Sequence, residues 1–212
     1  MAMANAYAQG EHICGLFETE EEQIAMAAEY LGDALRKGER AFYVAQSEAA
    51  LGRFGEALKE IRIDPVAAAK RGALVVATHT TAHLPDGCFD CERMLRLLND
   101  AVESALNDGF IGLRTCGDMS WLLQEPAGAH QILEYEALLN QFFQGVRAAG
   151  MCQYDRRRLQ AHLVDHALAT HTSVMLEGHH KLNPFYRPPS IAMNRTAQPD
   201  QVEWKVGELR RA

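Results

Sequence analysis

Hydrophobic and polar residues follow one another along this chain in a pattern that predicts buried strands separated by amphipathic helices. Residues 12–17 (HICGLF) form a short apolar run of the kind found in buried strands. The first turn of the next segment is rich in glutamate, which suits the positive end of a helix dipole, and the segment ends at Lys37-Gly38. Spacings of three and four residues place one apolar face on this predicted helix: Ile24, Ala27, Ala28, Leu31 and Leu35.

The same succession continues to residue 177 and predicts a mainly parallel sheet. Strands are expected at 41–45, 73–78, 110–115, 151–154 and 173–177, and helices at 49–59, 65–70, 90–106, 128–148 and 158–169. Strands that alternate with helices are joined by crossover connections, which cover both faces of a parallel sheet. The predicted fold class is therefore α/β, with a sheet between two layers of helices.

The pattern shows no internal repeat and no internal domain boundary. We expect a flexible leader at 1–10, one domain at 11–189 and a peripheral C-terminal tail at 190–212. The leader has neither a basic start nor an apolar centre, so it does not look like a signal peptide. No apolar run approaches the roughly 18 residues that cross a bilayer, so no membrane contact is expected.

Composition and charge narrow the classes of function. The 212 residues carry a formal net charge of −7, with a pI near 5.7. Nucleic-acid surfaces need a basic face, so direct nucleic-acid binding is not expected. Five cysteines without a secretion signal indicate free thiols in a reducing cytoplasm.

The turn after the first predicted strand lies where many βαβ proteins hold a phosphate. A phosphate loop needs glycines that expose backbone N–H groups, a lysine on the β- and γ-phosphates, and a serine or threonine on magnesium. Residues 15–23 instead contain one glycine, no lysine and four glutamates, at positions 18, 20, 21 and 22. Four negative charges would repel a triphosphate, so ATP hydrolysis is not expected.

A second segment, HTTAHLPDGCFDC, brings together four residues of the types that bind metals: His79, His83, Cys88 and Cys91. A Cys-x-x-Cys pair is half of a zinc site, and two histidines could complete it. The Thr-Thr pair between the histidines makes a helix doubtful there, and a cysteine in the first turn of a helix is often a packed side chain. We therefore expect no metal ion and no cofactor. The alternative is a metal or redox site formed by these four residues.

Polar residues also gather where the predicted strands end, which is where ligands bind in open α/β sheets. Strand ends are polar in any case because they meet solvent, so this clustering is suggestive only. Within it we predict a small, apolar-walled ligand pocket at the carboxyl edge, between the first and fourth strands, near the turn at Glu18. The polar residues concerned are Glu18, Thr19, Gln46, Ser47, His79, Arg114, Asp118 and residues 154–156.

Six segments in order resemble the MEDS domain, a sensory domain of methanogen and methylotroph regulators that include a dichloromethane-responsive repressor. They are HICGLFETEEE, LRKGERAFYVA, GFIGLRTCGDMSWLL, LEYEALLNQFF, MCQYDRRR and LNPFYRPP, which together cover about 11–189. The resemblance implies a three-layer, RecA-like, KaiC-related fold that has lost its phosphate loop and serves as an input module. It also implies sensing of simple hydrocarbon derivatives.

The positions that match the family pattern supply the predicted ligand-binding residues. Asp118 departs from the pattern, which more often has glutamate there, and Cys88 and Cys91 lie outside it. Arg114 would give the ligand a fixed positive charge, and the alternative is that Arg114 and Asp118 form a structural ion pair. The predicted ligand-binding residues are His12, Cys14, Arg114, Asp118, Trp121, Glu134 and Tyr154, and further matches are Tyr135, Glu136, Asn140, Cys152, Asp155, Asn183 and Tyr186.

The resulting hypothesis is a cytoplasmic, non-catalytic sensor of a small organic molecule. The resemblance implies a partner that is a histidine kinase, a DNA-binding regulator or an anti-sigma-type factor, and a homodimer stays open. Two alternatives come from other classes of protein. One is a divergent nucleotide-binding RecA-like protein, and the other is a metal or redox sensor that uses the histidines and cysteines of 79–91.

Overall fold

The computed structural model describes residues 7–187 and 199–211. Seven strands form one sheet in the order β3-β2-β4-β5-β1-β6-β7, with every pair parallel except β6–β7. The strands are β1 His12–Phe17, β2 Arg40–Ala45, β3 Leu74–Thr78, β4 Leu113–Asp118, β5 Ala148–Asp155, β6 Ser173–Leu176 and β7 His179–Leu182. The predicted α/β class with a mainly parallel sheet is confirmed.

Helices cover both faces of this sheet, and each face has its own apolar core. Helices α1 to α3 pack on one face, which we call the α1 face, and α4 to α7 pack on the other, which we call the α5 face. No helix in the described part of the chain is long and apolar enough to cross a membrane. The helices are α1 Glu20–Lys37, α2 Glu48–Glu60, α3 Pro65–Lys70, α4 Cys91–Asn107, α5 Ile132–Gly145, α6 Ala161–Thr170 and α7 Pro199–Arg211, with 3₁₀ helices at Ser120–Gln124 and Ala129–Gln131.

The first helix begins and ends as its sequence predicts. The Thr19 side chain accepts a hydrogen bond from the backbone N–H of Glu22, which satisfies one of the free donors of the first turn. Gly38 ends the helix in the left-handed conformation, with φ at 83°. These local signals fix the direction in which the chain enters β2.

Both predicted termini contain residues that join the fold. Tyr7, from the predicted leader, is buried with its ring 4.9 Å from that of Tyr30, whereas residues 1–6 lie outside the described part of the chain. Within the predicted tail, α7 buries Val202, Val206 and Leu209 in the core of the α5 face. The strand β7 was also missed, and it follows a two-residue turn after β6.

Two details of β4 change the predicted pocket. Its bounds are three residues later than the predicted 110–115, so Arg114 lies near the start of the strand instead of its end. In addition, β5 lies between β4 and β1. The first and fourth strands are therefore not neighbours, and the end of β5 lies between the two strand ends where the pocket is predicted.

Candidate functional site

Four buried side chains converge on the α5 face of the sheet. His12 begins β1, Cys152 lies in the middle of β5, Glu136 lies on α5, and His171 follows the last residue of α6. Their ligand atoms all lie within 4.8 Å of one another. Within residues 7–187 and 199–211, this is the one such group of three or more His, Cys, Asp or Glu side chains; we call it the His12 cluster.

The distances inside the His12 cluster are short. Glu136 Oε2 lies 3.2 Å from His12 Nε2 and 3.2 Å from His171 Nε2. Cys152 Sγ lies 3.6 Å from the same nitrogen of His12. Yet neither Glu136 Oε2 nor His171 Nε2 has a well-aligned hydrogen bond. The ligand atoms of the four side chains thus lie close together without a full set of aligned hydrogen bonds among them.

Outer contacts orient the two imidazole rings. His171 Nδ1 lies 2.7 Å from the Ala167 carbonyl oxygen, and since a carbonyl can only accept, this nitrogen carries the proton. His12 Nδ1 lies 3.3 Å from Asn140 Oδ1, and the amide of Asn140 donates to the Thr170 carbonyl, so its oxygen accepts from His12. In both rings Nδ1 is therefore taken by an outer contact, and Nε2 is the nitrogen that faces the cluster.

The carboxylate at the centre of the cluster is held in its charged form. Burial alone would raise the pKa of Glu136, but the nearby His171 and His12 rings outweigh it and hold that pKa well below its usual range. Burial, with repulsion from His171, lowers the pKa of His12 to about 4. The Tyr154 hydroxyl donates a 2.6 Å hydrogen bond to Glu136 Oε1. A fully buried negative charge therefore sits beside a neutral imidazole at neutral pH.

A narrow cavity adjoins this cluster on the same face of the sheet. Its volume is about 20 Å³, which is room for about one water-sized group. Cys152 belongs both to its wall and to the His12 cluster. Apolar side chains from β2, α4 and α5 make up much of the rest: Phe42, Val44, Met94, Leu98, Leu139 and Phe143.

The structure brings three of the predicted ligand-binding residues together. His12 and Tyr154 both contact Glu136, and Cys14 lies opposite Cys152 in the pairing of β1 with β5. Burial, with a smaller effect of Glu136, raises the pKa of Cys14 well above its usual value. Cys14 is thus a neutral thiol beside the cluster.

The other predicted ligand-binding residues lie elsewhere. Trp121 is buried and stacks on Phe89, with ring centroids 4.8 Å apart. Asp118, the last residue of β4, accepts a hydrogen bond from the backbone N–H of Ser120, the first residue of the 3₁₀ helix. Glu134 is exposed on α5, and its near neighbour Glu136 is the carboxylate that points inward.

Arg114 lies on the α1 face, away from Cys14 and Trp121. Its guanidinium pairs with Glu39 at 2.5 Å and with Asp33 at 2.7 Å. The ion pair considered with Asp118 is therefore wrong, and the partners are these two carboxylates. The contacts make Arg114 a structural residue in this conformation.

The residues of the Cys-x-x-Cys segment do not converge. The His79 and His83 rings contact each other edge to face at 5.3 Å, and His83 also stacks near Trp121. Cys88 donates to the Phe89 carbonyl, while the backbone N–H of Cys91 donates to Gln131. The four side chains do not appear as a metal-ligand group within the described residues.

Sequence reasoning missed His171 and gave Glu136 and Cys152 no central role. His171 stands between a helix and a strand, where a polar residue is ordinary, so no periodic pattern marks it. One signal in the sequence could have revealed the cluster, namely that the predicted buried strands contain residues of metal-binding type. Placing His12 and Cys152 on neighbouring strands would have prompted a search for a facing carboxylate on the helix that covers them.

The turn after β1 is short and its polar groups are already used. The backbone N–H of Glu18 donates to the Glu22 carboxylate at 2.8 Å, and Thr19 takes the N–H of Glu22. The Glu18 side chain forms ion pairs with Arg156 and with Arg210 of α7. The chain's own side chains thus occupy the start of α1.

Comparison with known proteins agrees with this fold. A KaiC-like protein from Pyrococcus horikoshii shares 11% identity, with a TM-score of 0.54 over 79% of this chain and 71% of that one. The flagellar accessory protein FlaH from Methanocaldococcus jannaschii shares 13% identity, with a TM-score of 0.56 over 85% and 81%. These likenesses show a RecA-like fold, as predicted.

No curated protein sequence matches this chain. A family model does match, and it spans residues 11–172, which is most of the chain. The chain therefore belongs to the MEDS family, described as the methanogen/methylotroph, DcmR sensory domain.

Proposed function

We propose that this chain is a non-catalytic sensor that binds a simple hydrocarbon derivative in the cavity beside Cys152. The observation that carries the proposal is the form of that cavity: it is buried, mainly apolar and very small. Ligand sites are typically apolar hollows with a few fixed polar groups. A volume near 20 Å³ holds about one water-sized group, so a compound of one to three carbon atoms would enter only if wall side chains such as Met94 and Leu98 shift.

The start of α1 supports a role without nucleotide hydrolysis. A bound phosphate would need the N–H of Glu18, which donates to the Glu22 carboxylate, and the N–H of Glu22, which donates to Thr19. It would also meet the carboxylates of Glu20 and Glu21 in the first turn. We therefore expect background ATP turnover with magnesium. A magnesium-dependent rate that disappears in a Thr19→Ala variant would favour the nucleotide-binding alternative.

Occupancy of the cavity would reach a partner protein of the signalling or transcription-regulatory class. The family description as a sensory domain supports this role. The cavity wall includes residues of both α4 and α5, so a ligand that pushes on it moves two helices that form part of the surface. A histidine kinase, a DNA-binding regulator or an anti-sigma-type factor could respond to such a change.

The test is thermal unfolding with a panel of alcohols, halides and ketones of one to three carbons. A ligand that binds the native state raises the melting temperature as its concentration increases. Val44→Leu adds one methylene group to the cavity wall and should abolish the shift. Val174→Leu makes the same change at a buried position of β6 that is outside the cavity wall, and it should keep the shift. Equal shifts in both variants would overturn the cavity assignment.

A further inference from the structure

We propose that the His12 cluster binds a single zinc-class divalent metal ion through His12 Nε2, His171 Nε2, Glu136 Oε2 and Cys152 Sγ. The geometry fits this assignment. Tetrahedral zinc, with bonds of about 2.0 to 2.3 Å, places its ligand atoms roughly 3.3 to 3.8 Å apart. Three of the separations here are 3.2, 3.2 and 3.6 Å, and all four ligand atoms lie within 4.8 Å of one another.

The hydrogen-bonding pattern supports the same conclusion. Buried polar atoms are nearly always paired, yet Glu136 Oε2 and His171 Nε2 both lack an aligned partner. One ion at the shared centre would satisfy both atoms at once. The exposures of the two side chains are 0%, so water from bulk solvent does not reach them.

Charge balance points to a divalent cation. A buried carboxylate is costly without compensation, and the partners within ion-pair distance of Glu136 among the described residues are the His12 and His171 rings, with no lysine or arginine. A metal would deprotonate Cys152, since a coordinated thiol loses its proton. One thiolate and one carboxylate then neutralise a charge of two.

The outer contacts have the form expected around a metal centre. Metal-binding histidines usually donate their second ring N–H to a carbonyl or another oxygen, which fixes the ring orientation. His171 does so to the Ala167 carbonyl and His12 does so to Asn140. Tyr154 holds the remaining oxygen of Glu136. Three of the four proposed ligands are thus oriented by outer contacts made through atoms other than those assigned to the metal.

The set of ligands selects the class of metal. Two imidazoles, a carboxylate and a thiolate suit zinc and related transition metals, whereas calcium and magnesium prefer oxygen ligands alone. Four protein ligands would close the coordination shell, as in structural zinc sites. Since Cys152 also lines the cavity, a small organic molecule bound there would contact the cysteine sulfur that coordinates the metal. That last link rests on the proposed function, whereas the metal site itself does not.

The experiment uses the full chain, purified without a histidine tag and under reducing conditions. We expect about one zinc per chain by elemental analysis, in line with a four-ligand site. After removal of the metal with a chelator, Zn²⁺ should raise the melting temperature, and Co²⁺ should give a thiolate-to-cobalt charge-transfer band. Cys152→Ser should lose that band. Cys116→Ser, which changes an equally buried cysteine outside the cluster, should keep it.

Two further variants keep the test decisive if Cys152→Ser fails to fold. His171→Gln should remove stoichiometric metal, and Tyr154→Phe should weaken metal affinity by about 10- to 100-fold, because it loosens a ligand without removing one. A parent chain that contains no stoichiometric metal and gains no stability from Zn²⁺ would overturn the site. Binding of the small organic ligand is measured separately, on protein from which the chelator has removed the metal. The cavity proposal and the metal proposal can therefore fail independently.

Discussion

Replacing Arg114 with methionine should destabilise the protein while leaving the cavity and the His12 cluster intact. Arg114 and Glu39 are only 1% and 3% exposed, and their side chains are 2.5 Å apart. Methionine keeps the apolar stem, but it leaves Glu39 buried without its cation. Breaking a buried ion pair in this way costs about 3 to 5 kcal/mol.

Two features place the expected loss within that range. Asp33 is 26% exposed and also pairs with Lys37 at 2.8 Å, so its charge stays compensated and adds little. The guanidinium also lies 5.2 Å from the Tyr30 ring, a cation–π contact that contributes about 0.5 to 2 kcal/mol. We therefore expect the free energy of unfolding to fall by about 4 kcal/mol in Arg114→Met.

Urea unfolding of the parent and variants measures this loss. Adding Glu39→Gln to Arg114→Met removes the uncompensated charge and should restore about 1 to 3 kcal/mol. Arg53→Met removes an arginine from a half-exposed pair with Glu20, and it should cost less than about 1 kcal/mol. If Arg114→Met costs no more than Arg53→Met, or if it abolishes binding of the cavity ligand without destabilising the fold, the structural role assigned to Arg114 is wrong.

Three further predictions concern other parts of the chain. Burial, with repulsion from His79, lowers the pKa of His83 to about 3, so the unfolded state binds a proton first as the pH falls below 6.5. This residue should then lower the free energy of unfolding by about 1.4 kcal/mol for each pH unit by which the pH falls. The urea midpoint of His83→Phe should therefore decline less steeply than that of the parent between pH 6 and 4. An equal slope in both proteins would contradict the lowered pKa. Gly128→Ala should cost at least about 2 kcal/mol, because the residue has φ of 82° and its Cβ would lie 2.0 Å from the Phe89 carbonyl oxygen. Gly38→Ala, with φ of 83° and no neighbour within 4 Å, should cost about 1 kcal/mol; equal losses would show that the clash is relieved. Finally, the double variant Cys88→Ser/Cys91→Ser should fold and keep its metal content, and loss of zinc from it would return the metal site to the Cys-x-x-Cys segment.

Sequence patterns predicted those parts of the fold whose causes are local. The buried run of β1, the glutamate-rich start of α1 and Gly38 at its end are all readable within a few residues. The bounds of β4 were not, because Phe110 continues the apolar run although it packs under the Arg40 guanidinium instead of joining the sheet. Strand order was equally hidden, since parallel pairing depends on contacts between residues far apart in the chain.

The candidate site was predictable only in part for the same reason. His12, Cys14 and Tyr154 came from the resemblance, and the structure places them at or beside the His12 cluster. Glu136 and His171 reach it through the packing of α5 and α6, which no spacing in the sequence reveals. For this reason Glu134, which is exposed, was predicted to bind the ligand in place of Glu136. The two residues are two positions apart on the helix, which is enough to turn a side chain from the core towards solvent.

The most direct test of the sensor proposal is a methyl NMR titration of the methionine-labelled protein with a compound that raises its melting temperature. Met94 and Met119 line the cavity, whereas Met26 and Met175 belong to the core of the α1 face. We predict that the methyl signals of Met94 and Met119 move with saturation while those of Met26 and Met175 stay in place. Saturable movement confined to Met26 and Met175, or no movement at Met94 and Met119, would contradict ligand binding in this cavity.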